Sequence, residues 1–345
     1  MSNSNLDFEK PIMELERRIL ELESKSQERR TDLLALQQMR ETLHNLIGEI
    51  FTKLTAWERV QVARHPERPQ TIDYLATVFE DFVELHGDRF FQDDPAIKAG
   101  LARFGGRTVV VIGQHKGKDT RQRLAANYGM PNPEGYRKAL RLMRFAEKMR
   151  FPVICLIDTP GAFPGVGAEE RGQFSAIAVN LMEMARLKTR TVGVILAEGG
   201  SGGALGIAVV DRLLVMENSW FSVISPEGCA AILFKSSEKD KIAEAAEALR
   251  LTATDLAHLG VVDDIVPEPL GGAHRDPQRT AATLKKLILK HLEELEKMPI
   301  EEVVERRYRK WRSIGEVATA TAPPGQSAAS QAPGNADLSG KDRRK

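Results

Sequence analysis

Two short glycine-rich strings hold the residue types best suited to chemistry. One is Glu198-Gly199-Gly200-Ser201-Gly202-Gly203-Ala204, the other Asp158-Thr159-Pro160-Gly161-Ala162-Phe163-Pro164-Gly165. Each follows a run of apolar, β-branched residues, TVGVILA (191–197) and VICLI (153–157), and each precedes a helical pattern. At the start of a helix the first N–H groups have no partner and carry partial positive charge. Glycine lets a ligand lie directly on the main chain. The chemistry predicted for such a place is stabilisation of a developing oxyanion or enolate by fixed donors, where removing one donor costs roughly 2.7–4 kcal/mol.

Sharper motifs compete for the same residues. Gly199-x-Ser201-x-Gly203 matches a nucleophile elbow, and Asp263 or Asp264 and then His274 follow in the hydrolase order. On that alternative, Ser201 is the nucleophile of a serine hydrolase. Asp158-Thr159-Pro160-Gly161 has the DxxG form of a GTPase switch, but the phosphate loop it requires is one residue short at Gly113–Lys118. A dinucleotide GxGxxG beginning at Gly200 requires glycine at 205, where Leu205 stands.

The strings must be held by a sheet. TVVVIG (108–113), VICLI and TVGVILA suit strands buried on both faces, and the helical patterns 136–150 and 171–188 alternate with them. This predicts an α/β fold with right-handed crossovers. Two further strands are expected at 213–217 and 220–224. A helix starts at Asp276-Pro277, with the stripe Leu284, Leu287, Ile288, Leu292, Leu295.

Around this core, residues 1–54 read as a helical hairpin. Its heptad seams are Ile12, Leu15, Ile19, Leu22 and Leu36, Met39, Leu43, Leu46, Ile50. Residues 55–100 read as a connector interrupted by Pro66, Pro69 and Pro95, with a helix over 71–85 and His65 as a packed turn residue. The main domain spans 100–298 and a helical extension 299–315. The tail 316–345, rich in Ala, Pro, Ser and Gly, is predicted to be disordered.

Composition narrows the function classes. The 345 residues carry 49 Lys and Arg against 48 Asp and Glu, a net charge of +1, which argues against a general nucleic-acid binder. Two cysteines, Cys155 and Cys229, build neither a disulfide framework nor a four-Cys zinc site. No apolar run reaches the roughly 18 residues of a membrane span, and the N-terminus lacks a secretory pattern, so a cytoplasmic, metal-free chain is expected. The basic groups Lys116, Lys118, Arg121, Arg123 and Arg137, Lys138, Arg141 read mainly as solvated helix faces.

Longer strings carry a family resemblance. GYRKALRLM (135–143), DTPGAFPGVGAEERGQ (158–173), EGGSGGAL (198–205), SVISPEGCAAIL (222–233) and IVPEPLGGAHR (265–275), with LDFEKPIMELE and RHPERPQTIDY earlier, resemble the α subunits of bacterial acetyl-CoA carboxylase carboxyltransferases over about residues 6–312. The resemblance implies a crotonase-like (ClpP/crotonase) fold with repeated ββα units. It implies transfer of a carboxyl group from N-carboxybiotin to acetyl-CoA, giving malonyl-CoA for fatty acid biosynthesis. The biotin is expected on a separate carrier protein, and the partner is expected to be a zinc-bearing β subunit in an α2β2 assembly, with biotin carboxylase consuming ATP elsewhere in the complex. The resemblance further implies that the basic ureido group of biotin can take the acetyl proton, so that no side-chain base is expected of this chain. The implied oxyanion donors are the backbone N–H groups of Gly202 and Gly203, then Gly161 or Ala162. Gly199, Gly200, Ser201, Phe163 and Glu227 are the expected carboxybiotin contacts. A crotonase-like acyl-CoA hydratase or thioesterase working alone is the other enzyme alternative.

Overall fold

The same strands feed two apolar cores, because successive side chains of a strand point to opposite faces. In a computed structural model, which describes residues 6–25 and 30–315, Val153, Cys155 and Ile157 enter one core and Ile154 and Leu156 the other. All five are fully buried.

The chain opens with α1 (Lys10–Lys25) and α2 (Arg30–Thr52), which pack on each other and, through Ile12, Ile47 and Phe51, on Leu54 and Val62 of the following segment. α3 (Ala56–Ala63) begins at a Thr55–Glu58 capping box, and α4 (Thr71–Thr77) follows. Then come β1 (Glu80–Glu84), β2 (Ile97–Phe104) and β3 (Arg107–Gln114). α5 (Thr120–Ala125) and α6 (Pro133–Met149) lead to β4 (Val153–Thr159). α7 (Val166–Glu170) and α8 (Gln173–Arg186) lead to β5 (Thr191–Gly200), which passes directly into α9 (Ser201–Leu205). The remainder is β6 (Arg212–Met216), β7 (Trp220–Ser222), α10 (Pro226–Leu233), α11 (Lys239–Ala248), α12 (Ala253–His258), β8 (Asp264–Val266), α13 (Pro277–Glu296) and α14 (Ile300–Ser313).

The sheet order is β1-β2-β3-β4-β5-β6-β8, antiparallel from β1 to β3 and parallel from β3 onward. β6 pairs with the first half of β5, and β7 pairs with its last three residues, Glu198, Gly199 and Gly200. The second glycine string thus begins inside a hydrogen-bonded ladder. α6 and α8 cover one face; α4 and α13 cover the other, with Leu284, Ile288, Leu292 and Leu295 buried as the stripe predicts.

Two local expectations are corrected. The helix predicted over 71–85 stops at Thr77, and Glu80–Glu84 is an edge strand, since pairing with β2 supplies its backbone hydrogen bonds. β2 was not anticipated because Lys98, Gly100 and Arg103 interrupt its apolar pattern; its register is set by the two-residue turn Gly105-Gly106, both with positive φ, a conformation matched to hairpin twist. The connector therefore contributes strands to the main sheet. The tail 316–345 lies outside the described residues. Among the described residues no helix is long and apolar enough to cross a membrane.

Candidate active site

The two glycine strings lie at the carboxyl ends of the adjacent parallel strands β4 and β5, and they touch. A Cβ on Gly200 would fall 2.1 Å from the Pro160 carbonyl oxygen, and one on Gly203 would fall 2.4 Å from both Ala162 N and Gly161 C. Only glycine permits this main-chain contact. By contrast, a Cβ on Gly161 would meet nothing within 4 Å, and one on Gly202 only the Ile177 methyls of α8 at 3.8 and 3.9 Å. The space in front of Gly161 is open.

Gly202 and Gly203 occupy the first turn of α9, where the helix offers their N–H groups no carbonyl. The turn is pinned from behind. Gln114, fully buried, donates to the Gly203 carbonyl at 2.8 Å and accepts from Asp158 N at 3.1 Å, so one side chain joins both strings. Tyr136 Oη also donates to the Gly203 carbonyl, at 3.1 Å. The Gly161 N–H, by contrast, donates to Thr159 Oγ1 at 3.1 Å. Phe163 is held through main-chain bonds: its N–H to Pro131 O and its carbonyl to Gln173 Nε2, both 3.1 Å.

Beside the strings lies a charged pocket of about 240 Å³ whose lining includes Arg64, Arg68, Lys116, Asp158, Pro160 and Glu198. Lys116 Nζ sits 2.6 Å from Asp158 Oδ1 and 2.5 Å from Glu198 Oε2, bridging the residues from which the two strings start. Arg64 joins Glu198 at 2.6 Å and also binds Glu227, in the first turn of α10. Burial alone would raise the Glu198 carboxyl, but the Lys116 and Arg64 charges outweigh it and hold it at about 2. For Asp158, burial prevails over Lys116 and the group stays raised. Arg68 and Glu268, both almost fully buried, pair at 2.5 Å, and Arg68 also donates to the Leu196 carbonyl.

This network corrects the reading of the basic clusters. Lys116 is an interior cation, Lys138 is fully buried on Asp93 and the Ile97 carbonyl, and Arg137 pairs with Asp88 at 2.8 Å. Arg64, Asp158, Glu198 and Gln114 were not singled out as site residues from the sequence. The one available signal was that Asp158 and Glu198 each open a glycine string.

The hydrolase constellation does not assemble. Ser201 has the strained φ of +52° expected of an elbow. However, Asp263 pairs with Lys310, Asp264 with Lys290 and His291, and His274 stacks on His65 with ring centroids 3.8 Å apart.

Comparison with known proteins agrees with this geometry. Residues 5–315 match the family described as acetyl co-enzyme A carboxylase carboxyltransferase-like. The acetyl-coenzyme A carboxylase carboxyl transferase subunit alpha of Thermus thermophilus is 54% identical over 91% of this chain and 99% of that protein. The protein of the same name from Methylococcus capsulatus is 53% identical over 90% of this chain and 96% of that one. Among solved structures, transcarboxylase 12S with hydrolysed methylmalonyl-coenzyme A bound superposes with a TM-score of 0.53 at 19% identity, over 67% of this chain; the match spans only 43% of the transcarboxylase chain. That likeness concerns the fold alone.

The family match defines a carboxyltransferase, and the fold is the crotonase-like α/β type. The chain belongs to the acetyl co-enzyme A carboxylase carboxyltransferase-like family. Acetyl-CoA carboxylases depend on biotin, and the relatives' designation as an alpha subunit makes this chain one component of a multi-subunit enzyme.

Proposed function

We propose that this chain provides the carboxybiotin-facing half of a cytoplasmic carboxyltransferase that converts acetyl-CoA to malonyl-CoA for fatty acid biosynthesis. The observation that carries the proposal is the main-chain contact between Gly203 and Gly161-Ala162, which brings the first-turn amides of α9 beside an open cradle at adjacent strand ends. Carboxybiotin, arriving on a separate carrier protein, supplies the carboxyl group and afterwards a basic ureido group.

The chain's own residues orient and stabilise. The N–H groups of Gly202, Gly203 and Ala162 face the developing negative charge on an oxygen, and their fixed positions avoid reorganisation during the reaction. Gly199, Gly200 and Gly161 keep side chains out of the way, and Phe163 and Ser201 flank the cradle. Glu227 acts through Arg64, holding Glu198 at the base of the second string. A β-type subunit, expected to carry the zinc site, completes the enzyme by binding acetyl-CoA in an α2β2 assembly, and biotin carboxylase recharges the carrier.

Mixed with its β partner, the chain should decarboxylate malonyl-CoA when given biotin, and it should be inactive alone. A purified, assembled pair without that activity overturns the proposal.

A further inference from the structure

A second cavity shares no residue with the charged pocket beside the glycine strings. It is a groove of about 660 Å³ between α6, the start of α8 and the loop after β1. Its walls hold five guanidiniums, those of Arg89, Arg137, Arg141, Arg144 and Arg171, with Asp88 as the sole carboxylate among the lining residues. Cation–π contacts hold two of them, Arg137 over Phe90 at 5.1 Å and Arg171 over Phe91 at 4.9 Å.

The charge is not balanced locally. Asp88 pairs with Arg137 at 2.8 Å, Glu134 with Arg171 at 3.0 Å and Glu183 with Arg144 at 3.4 Å. Arg89 donates to the His86 carbonyl, and Arg141 to the carbonyls of Leu85, His86 and Gly87. Carbonyls satisfy the donors without neutralising the charge, so two cations remain in excess. The N-terminus of α8 adds to the same field. Its N-cap is Gly172, which has no side chain to cap the helix, and Gly172 and Ser175 both line the groove. A helix start beside guanidinium forks suits tetrahedral anionic oxygens.

We propose that this groove binds a phosphate ester of a small molecule, with the phosphoryl oxygens against Arg89, Arg141 and the first turn of α8, and the rest of the molecule along the groove, whose volume exceeds that of a phosphate. The site is separate from the carboxyl-transfer site. Its wall is the same α8 whose Ile177 faces Gly202.

Calorimetric titration of the full chain with inorganic phosphate, ribose 5-phosphate and ADP tests the proposal. At least one ester should bind, and bind more tightly than inorganic phosphate. Two variants avoid the interior. Arg89→Glu reverses an exposed charge, and Ser175→Glu places a carboxylate in the first turn of α8, where it supports the helix and occupies the anion site internally. Each should weaken ester binding about tenfold or more, the loss expected for one charge-assisted contact, with no fall in thermal midpoint. Absence of binding by all three probes at millimolar concentration, undiminished ester binding in both variants, or phosphate binding as tight as both esters would each overturn the assignment.

Discussion

The main chain of Gly203 rests directly on that of Ala162: a Cβ on Gly203 would lie 2.4 Å from the Ala162 nitrogen. Adjacent parallel strands bring the two stretches of backbone into direct contact. Gly203→Ala must push the strings apart, and a loss of about 100-fold or more in kcat for biotin-dependent malonyl-CoA decarboxylation is expected, the scale of a lost oxyanion donor. Gly202→Ala meets only Ile177 at ordinary contact distance and should stay within a few-fold of wild type. Equal losses in the two variants would show that the contact between the strings is not what matters.

Lys116 ties the roots of the strings through Asp158 and Glu198. Lys116→Met leaves two buried carboxylates without their shared cation, and removing one partner of a buried pair typically costs about 3–5 kcal/mol. Denaturant unfolding should show a loss of that order, and Lys116→Arg should recover part of it. An unchanged midpoint in the methionine variant would mean that the carboxylates find other partners.

Ser201 has an elbow's backbone but not an elbow's partners, since His274 and Asp264 are engaged elsewhere. Ser201→Ala should retain carboxyltransferase activity within about tenfold, well short of the loss on removing a catalytic nucleophile. The wild-type chain should not be labelled by a fluorophosphonate, and labelling that disappears in Ser201→Ala would reinstate the hydrolase reading.

His274 predicts an acid-sensitive fold. Burial first, then the charges of His65, Arg275 and Arg68, lower it from an ordinary 6.5 to about 3. Below pH 6.5 the unfolded chain therefore binds a proton that the folded chain refuses, so stability falls as pH drops from about 6.5 toward 3. His65, also lowered by burial, acts in the same direction. Glu198, depressed to about 2 from 4.5, contributes stability above pH 4.5 that is lost on further acidification. Denaturation midpoints at pH 7.5 and 5 should differ less in His274→Gln than in wild type; identical slopes would remove His274 as the cause.

Arg307 fastens α14 to the body. It is 1% exposed, pairs with Asp211 at 2.7 Å and donates to the carbonyls of Met184, Leu187 and Thr189. Arg307→Met leaves buried Asp211 without its cation and should cost about 3–5 kcal/mol in denaturant unfolding, whereas exposed Arg309→Met two residues on should cost under about 1 kcal/mol.

Much of the frame is legible in the residue order. The β-branched runs at 153–157 and 191–197 become the buried centre of the sheet, and the leucine stripe of 284–295 lies on it. These features are local: periodicity states which side of an element is apolar, and burial of that side follows from the hydrophobic effect. The glycine strings are legible in the same way, as breaks after strands. The edge strand at 80–84 was misread because its pairing, not its own pattern, selects the extended state.

The residue order by itself determined the buried strands, the covering helices and the two bends rich in glycine, because each is encoded within a dozen neighbouring residues. Tertiary structure alone decided that Lys116 meets Glu198 across 82 residues, that Arg64 meets the same carboxylate across 134, and that His274 stacks on His65. Ion pairs have no period along a chain. Which charges meet is settled by strand register and turn direction, and those are fixed only when the whole sheet has closed.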